Sequence, residues 1–149
     1  LSSPYHEARL QVATYLSPPG VQRPVLALRA AGEKVWGTFP FASAAFLGGP
    51  RSVRSLRFQR YAGDALLLGS AELRLPLWQI FFPIPLDIGV YGLGDAGRVW
   101  SAGESSSTWH TAVGGGIFFG LVDRSEVVRL AVAWGEDRTA FMAGLGFIY

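Results

Sequence analysis

The chain has 149 residues, half of them apolar, with no cysteine and a formal net charge of +2. The length fits one domain, the lack of cysteine excludes a disulfide framework and thiolate metal sites, and so small and dispersed a charge gives no reason to expect nucleic acid as a partner. Charges are scattered too evenly to leave 18 consecutive apolar positions, which excludes a transmembrane helix, and the most apolar stretch, 75–86, is interrupted by Pro76, Pro83 and Pro85.

High apolarity without a helical span leaves two architectures. One is a soluble β-sandwich with a large core; the other is a membrane barrel whose signal is diluted by alternation. Nineteen glycines and five tryptophans favour the barrel, because glycine relieves crowding where strands bend and Trp and Tyr populate membrane interfaces. The chain opens at Leu1 with neither Met nor a basic-then-apolar leader. The expectation is a processed or cloned piece of a protein whose export signal lies elsewhere.

Side chains of a strand alternate between faces, and this period organises the chain. Residues 5–16 set His6, Ala8, Leu10, Val12 and Leu16 against Glu7, Arg9 and Gln11, and Ser17-Pro18-Pro19-Gly20 ends the strand as a turn. A second strand is expected over 25–30. The stretch of about 37–64, rich in Gly, Ser, Pro and Arg, is too long for a passive connection and reads as a functional loop. The clearest strand is 65–77, with Leu67, Ala71, Leu73, Leu75 and Leu77 outward and Ser70, Glu72 and Arg74 inward. In 84–96, Ile84, Leu86, Ile88 and Val90 face outward and Asp87, Tyr91 and Asp95 inward. A polar loop is expected over 97–108, then strands over 110–121 and 127–134, separated by a turn at 122–125. Gly135-Glu136-Asp137-Arg138 reads as a tight, solvated hairpin into the closing strand.

That closing strand, 141–149, carries Phe141, Ala143, Leu145, Phe147 and Tyr149 on one apolar, aromatic-ended face, with Gly144 and Gly146 on the other. It stops on an aromatic residue, unlike the polar, frayed ends of soluble domains. The expected fold is therefore all-β: an antiparallel meander of about seven strands forming part of a transmembrane β-barrel, with residues 1–149 as its C-terminal portion and a lumen-folding loop at about 37–64. Each strand has roughly the ten residues needed to cross a bilayer at a tilt. Single-chain bacterial barrels have an even number of strands, at least about eight, so seven strands predict an open sheet with unpaired first and last edges.

The segment from Ser52 to Asp64 resembles the signature loop of the bacterial surface antigen family, the outer-membrane assembly and translocation proteins that include BamA, TamA and the two-partner secretion transporters. The family pattern is hydrophobic-Arg-Gly-aromatic, then Gly-Asp ahead of a strand bearing a Glu-x-Arg triplet. Here Val53 and Arg54 hold the first two positions, Ser55 stands for the glycine and Leu56 for the aromatic. Gly63-Asp64 and Glu72-Leu73-Arg74 supply the later elements, and a strand motif ending in aspartate appears as Gly92-Leu93-Gly94-Asp95. The closing strand, with Gly144, Phe147 and Tyr149, is similar to the signal by which barrels are recognised for insertion, although Met142 stands where that signal is polar. The resemblance spans nearly the whole chain in the same order. It implies that the loop folds into the barrel and that Arg54 meets the inward acids Asp95 and Glu72, with Asp95 the main partner. An unpaired guanidinium in a confined lumen would be costly.

Other patterns carry less. Gly92-Leu93-Gly94-Asp95-Ala96-Gly97 spells a dinucleotide fingerprint, but no helix start follows it. His6 and His110 stand alone, without the clustered ligands of a metal site. Ser105, Ser106, Ser107 and His110 suggest a triad only on paper, since triads are recognised by geometry. Trp78, Trp100, Trp109 and Trp134 near strand ends read as interface belts.

No enzymatic activity, metal or cofactor is expected. By resemblance the chain is an outer-membrane β-barrel segment of a protein-assembly or protein-translocation factor. Its expected partners are outer-membrane lipid, client outer-membrane or secreted proteins, the barrel-assembly machinery, and the remaining strands and upstream periplasmic domains of the parent chain. The alternatives are a barrel that anchors a passenger enzyme such as a patatin-like lipase, and a soluble β-sandwich binding module.

Overall fold

The computed structural model describes residues 4–81, 83–103, 108–121 and 127–147. The fold is all-β. Among the described residues nine strands run in chain order: β1 Tyr5–Leu16, β2 Val25–Gly37, β3 Ala45–Leu47, β4 Tyr61–Gly63, β5 Ala65–Phe81, β6 Pro85–Trp100, β7 His110–Leu121, β8 Val127–Gly135 and β9 Ala140–Leu145. Seven form one antiparallel sheet in the order β1-β2-β5-β6-β7-β8-β9, and β3 and β4 make a separate hairpin. Among the described residues β1 pairs only with β2 and β9 only with β8, so the sheet is open at both edges. No helix of the described residues is long and apolar enough to cross a membrane.

Alternation gives the sheet two unlike faces. Leu75, Val90, Ile117 and Leu130 lie in one cross-strand row, and all four are exposed on the outer face. One residue along, Arg74, Tyr91 and Ala131 are buried on the inner face. The backbones of β7 and β8 approach closely. A Cβ at Gly114 or Gly116 would strike the carbonyls of Val132 or Leu130, so only glycine admits this approach.

Several boundaries differ from those the hydrophobic pattern suggests. Strand β2 runs past Ala30 to Gly37, because Gly32, Glu33 and Lys34 stay in register with Leu67, Leu66 and Ala65. Glu33 is held from β1 by Arg9, whose Nε lies 3.2 Å from its carboxylate. Strand β5 continues past Pro76 to Phe81 through an irregularity between Pro76 and Trp78, with Gly89 opposite the proline. Strand β6 extends through Gly97 to Trp100, where a loop was expected, and Ile84 lies just before it. The long segment after β2 is not structureless: it contains a 3-10 turn, Phe41–Ser43, and the β3–β4 hairpin. The turn at 122–125, Ser105 to Ser107 and Tyr149 lie outside the described residues.

Candidate functional site

The segment between β3 and β4 is folded against the inner face of the sheet. Leu47, Val53 and Leu56 are fully buried and pack with Leu68 and Ala112 of the wall. Burying three such side chains contributes about 1.5–3 kcal/mol each. The wall makes room for them. A Cβ at Gly97 would come within 2.5 Å of Leu47 and 3.0 Å of Val53. The glycines that spell a nucleotide fingerprint thus belong to a continuous strand, and the last of them is a socket for the loop.

Local chemistry aims Arg54. Gly48 adopts φ 122° and Gly49 φ 106°, conformations that glycine reaches without a Cβ penalty. The Gly48 N–H donates to the Ser52 hydroxyl at 3.2 Å, and the Leu56 N–H donates to the Val53 carbonyl at 3.1 Å. Arg54 and Ser55 are therefore the central residues of a tight turn whose tip meets the sheet.

Arg54 is 2 % exposed, Asp95 5 % and Glu72 0 %. The guanidinium grips Asp95 with both prongs: Nε donates to Oδ2 at 2.8 Å and Nη2 to Oδ1 at 2.8 Å. The Arg54 backbone N–H adds a third bond to Oδ2, at 3.1 Å. Its Nη1 donates to Glu72 Oε1. The other oxygen of Glu72 accepts from Arg74 Nη2 at 2.8 Å and Nε at 3.2 Å. Two guanidinium groups and two carboxylates thus alternate in one buried chain with balanced charge, the condition under which buried ions are tolerated. Burial alone would lower the Arg54 pKa, but hydrogen bonding and attraction from Asp95, then Glu72, outweigh it and hold the pKa above the ordinary arginine value.

The remaining motif residues surround this contact. Ser55 is fully buried and its hydroxyl donates to the Thr111 carbonyl at 3.4 Å. A Cβ at Gly135 would strike the Ser55 hydroxyl, so Ser55 occupies space left by a glycine on the wall. Gly63 and Asp64 return the loop to the sheet. The Asp64 N–H donates to the Trp100 carbonyl at 2.8 Å, its carbonyl accepts from Val35 at 2.7 Å, and its carboxylate lies 3.2 Å from Lys34 Nζ.

The closing strand departs from the expected alternation. Phe141 and Leu145 are 82 % and 84 % exposed on the outer face, but Phe147 is not on that face. β9 ends at Leu145, and Gly146, at φ 69°, turns the chain while its N–H donates to the Val127 carbonyl at 2.7 Å. Phe147 consequently packs inward, edge-on to Tyr91 and Phe118, with the Arg74 guanidinium 3.7 Å from its ring centroid. Gly144 faces inward opposite Arg129, whose guanidinium would lie 3.4 Å from a Cβ there, an ordinary van der Waals contact.

Residues that alternation does not single out hold the loop from its other side. Asp137 accepts from the Arg57 N–H at 3.0 Å and lies 3.7 Å from Arg60 Nε. Glu136 meets His110 Nδ1 at 2.5 Å, and the His110 ring stacks on Tyr61 with centroids 3.9 Å apart. The expected solvated turn at 136–137 is therefore a contact region. No local sequence signal marks it, because its partners lie 26 and 80 residues away. His6 is exposed, far along the chain from this group, and no cluster of three His, Asp or Glu suited to a metal ion occurs among the described residues. Comparison of the chain with protein-family models, with curated proteins and with solved structures finds no match.

Proposed function

We propose that this chain is the barrel part of an outer-membrane protein-assembly or protein-translocation factor, and that the Arg54 loop is its internal lock. The observation that carries the reading is the buried Arg54 guanidinium, bonded through both prongs to Asp95 and through its remaining nitrogen to Glu72. A soluble sheet would cover its outer face with a second layer. Here the outer rows are apolar and exposed, with Leu73, Leu75, Leu77, Val113, Ile117, Val128 and Leu130 all open, which suits lipid. The buried polar residues and the folded loop are on the opposite face, which suits a lumen.

On this reading the unpaired edges of β1 and β9 meet further strands of the parent barrel, since an open edge in lipid would leave backbone groups unsatisfied. Upstream periplasmic domains deliver client proteins, and the barrel-assembly machinery inserts the barrel itself. The mechanism is mechanical: a loop fixed inside the wall holds the pore occluded and the strand seam in place, and its release opens a path.

The test is depletion of the full-length protein in its native cells, followed by quantification of proteins in the carbonate-resistant outer-membrane fraction and in the medium. The expected result is that the protein itself partitions with the outer membrane and that its loss lowers a subset of outer-membrane or secreted proteins. Recovery of the intact protein in the soluble fraction would overturn the membrane reading. An unchanged client profile from a membrane-bound protein would overturn the assembly and translocation reading alone.

A further inference from the structure

We propose that the β8–β9 hairpin is a clasp on the inserted loop, so that seating of the loop and pairing of the closing strand are one coupled equilibrium. Three consecutive hairpin residues each engage the loop or the residue beside it. Gly135 lies under Ser55, where no side chain larger than hydrogen fits. Glu136 binds His110, whose ring is stacked on Tyr61 at the root of the loop. Asp137 takes the Arg57 N–H at 3.0 Å and lies between the Arg57 and Arg60 side chains, at 3.8 and 3.7 Å. Arg60 in turn sits over Tyr61, 5.2 Å from its ring centroid.

The Arg54 lock and this clasp are separate contacts on opposite sides of one short turn. The lock ties the loop to β5 and β6 through Glu72 and Asp95. The clasp ties it to the hairpin. Between them they join the middle of the sheet to its last strand by a route that, through Arg57 and Asp137, does not run along β7.

That shortcut matters because β9 is weakly held. It has six residues, pairs along one edge only among the described residues, and exposes Phe141 and Leu145 almost fully. A strand with so few pairings opens at low free-energy cost, and a contact at its hairpin root removes much of that freedom. Because coupling is reciprocal, whatever unseats the loop also loosens β9, and pulling β9 away loosens the loop. The coupling does not depend on whether the outer face meets lipid, so its failure and the failure of the membrane reading are distinguishable.

Amide hydrogen exchange on the full-length protein tests it. In Asp137→Ala the amides of 140–145 should exchange about tenfold faster, within the range ordinary for coupled sites, and those of 53–57 should accelerate with them, while β5 and β6 hold. Glu136→Gln preserves shape and should move the same two segments by a smaller factor, which keeps the test available if Asp137→Ala does not fold. In the other direction, Arg54→Lys should speed exchange in 140–145 although residue 54 touches neither β9 nor its hairpin. Unchanged exchange at 140–145 in the hairpin variants overturns the clasp, and so does equal acceleration in every strand.

Discussion

Arg54 and Asp95 meet through three hydrogen bonds, two from the guanidinium and one from the backbone N–H of the same residue. The side-chain pair alone would fix a direction. The added backbone bond also fixes the turn that carries it, so Asp95 reads both the identity of the arginine and the conformation of the loop. Glu72 then links this contact to Arg74 and, through the Arg74 guanidinium, to the ring of Phe147. The loop tip, the wall and the in-turned Phe147 ring are thus linked in one series of contacts.

Truncation at this centre should be severe. Arg54→Ala deprives buried Asp95 of its guanidinium partner and Glu72 of one of its two, a change that costs about 3–5 kcal/mol. Arg54→Lys keeps the charge but not the fork, and should fall between the two. The unfolding midpoint of the full-length protein measures the order: wild type above Arg54→Lys above Arg54→Ala. Equal midpoints for wild type and Arg54→Lys would show that the fork contributes nothing beyond charge.

The same lock should resist base. The pKa of Arg54 is held above the ordinary arginine value, which is itself far into the alkaline range. A group with a raised folded pKa contributes fully below its unfolded value and loses that contribution only as pH rises through the folded one. Stability from Arg54 is therefore constant between pH 7 and 11. Arg54→Lys, whose ammonium has a reference value of about 10.4, should lose stability relative to wild type as pH climbs past that point. A gap between the two proteins that stays flat from pH 7 to 11 contradicts this account.

Much of the sheet was legible because alternation is a local property. The bounds of β1 and β7, the inward direction of Glu72 and Asp95, and the outward rows all follow from period two. The ends of strands were less legible, because Gly32, Pro76 and Gly97 look like breakers. Each is tolerated by what lies across from it: Gly32 pairs with Leu67, Pro76 faces Gly89, and Gly97 admits Leu47. The inward turn of Phe147 escaped a rule of alternation because the strand stops two residues earlier, at a positive-φ glycine. The second side of the site, Asp137 with Arg57 and Glu136 with His110, is made wholly of contacts between distant parts of the chain and leaves no trace in spacing.

The fit of Ser55 against Gly135 can be tested. Gly135→Ala should cost about 1–3 kcal/mol, the range for overpacking, since its methyl would strike the Ser55 hydroxyl. Ser55→Gly alone should be mild, because it forfeits one long hydrogen bond to the Thr111 carbonyl. The double variant should recover only part of the loss, as the added methyl would still lie 2.6 Å from the Thr111 carbonyl oxygen. A double-mutant cycle on thermal unfolding gives the coupling; strictly additive losses would mean that the two positions do not share the space.

The outer face offers a direct discrimination between lipid and water. Ile117 is 41 % exposed in the middle of the apolar row between Val90 and Leu130. If that row faces lipid, Ile117→Arg should destabilise the protein in bilayers by about 2–4 kcal/mol. If it faces water, an exposed substitution should stay within about 0.5 kcal/mol. Urea titration of the full-length protein in lipid vesicles, with Arg placed in turn at Ile117 and at the exposed loop position Phe58 as a control, separates the two. A loss no greater at Ile117 than at Phe58 argues against burial in a membrane.

The inward turn at Gly146 and Phe147 should respond to backbone and side chain separately. Gly146→Ala forces a Cβ into a left-handed conformation at φ 69°, at a cost of about 1–2 kcal/mol. It should release Phe147 from its place against Arg74, Tyr91 and Phe118 without removing the ring. Phe147→Ala leaves the turn intact and deletes the contacts, including a cation–π interaction of about 2 kcal/mol when desolvated. Both should raise the accessibility of the inner cavity, about 240 Å³, that Phe147, Arg74, Phe118 and Asp87 line. A cysteine placed at Val127, which is 5 % exposed on the same cavity, reports this through its labelling rate by a water-soluble maleimide. Faster labelling in both variants is expected. Faster labelling in Phe147→Ala alone would mean that the ring stays seated without the turn that Gly146 provides.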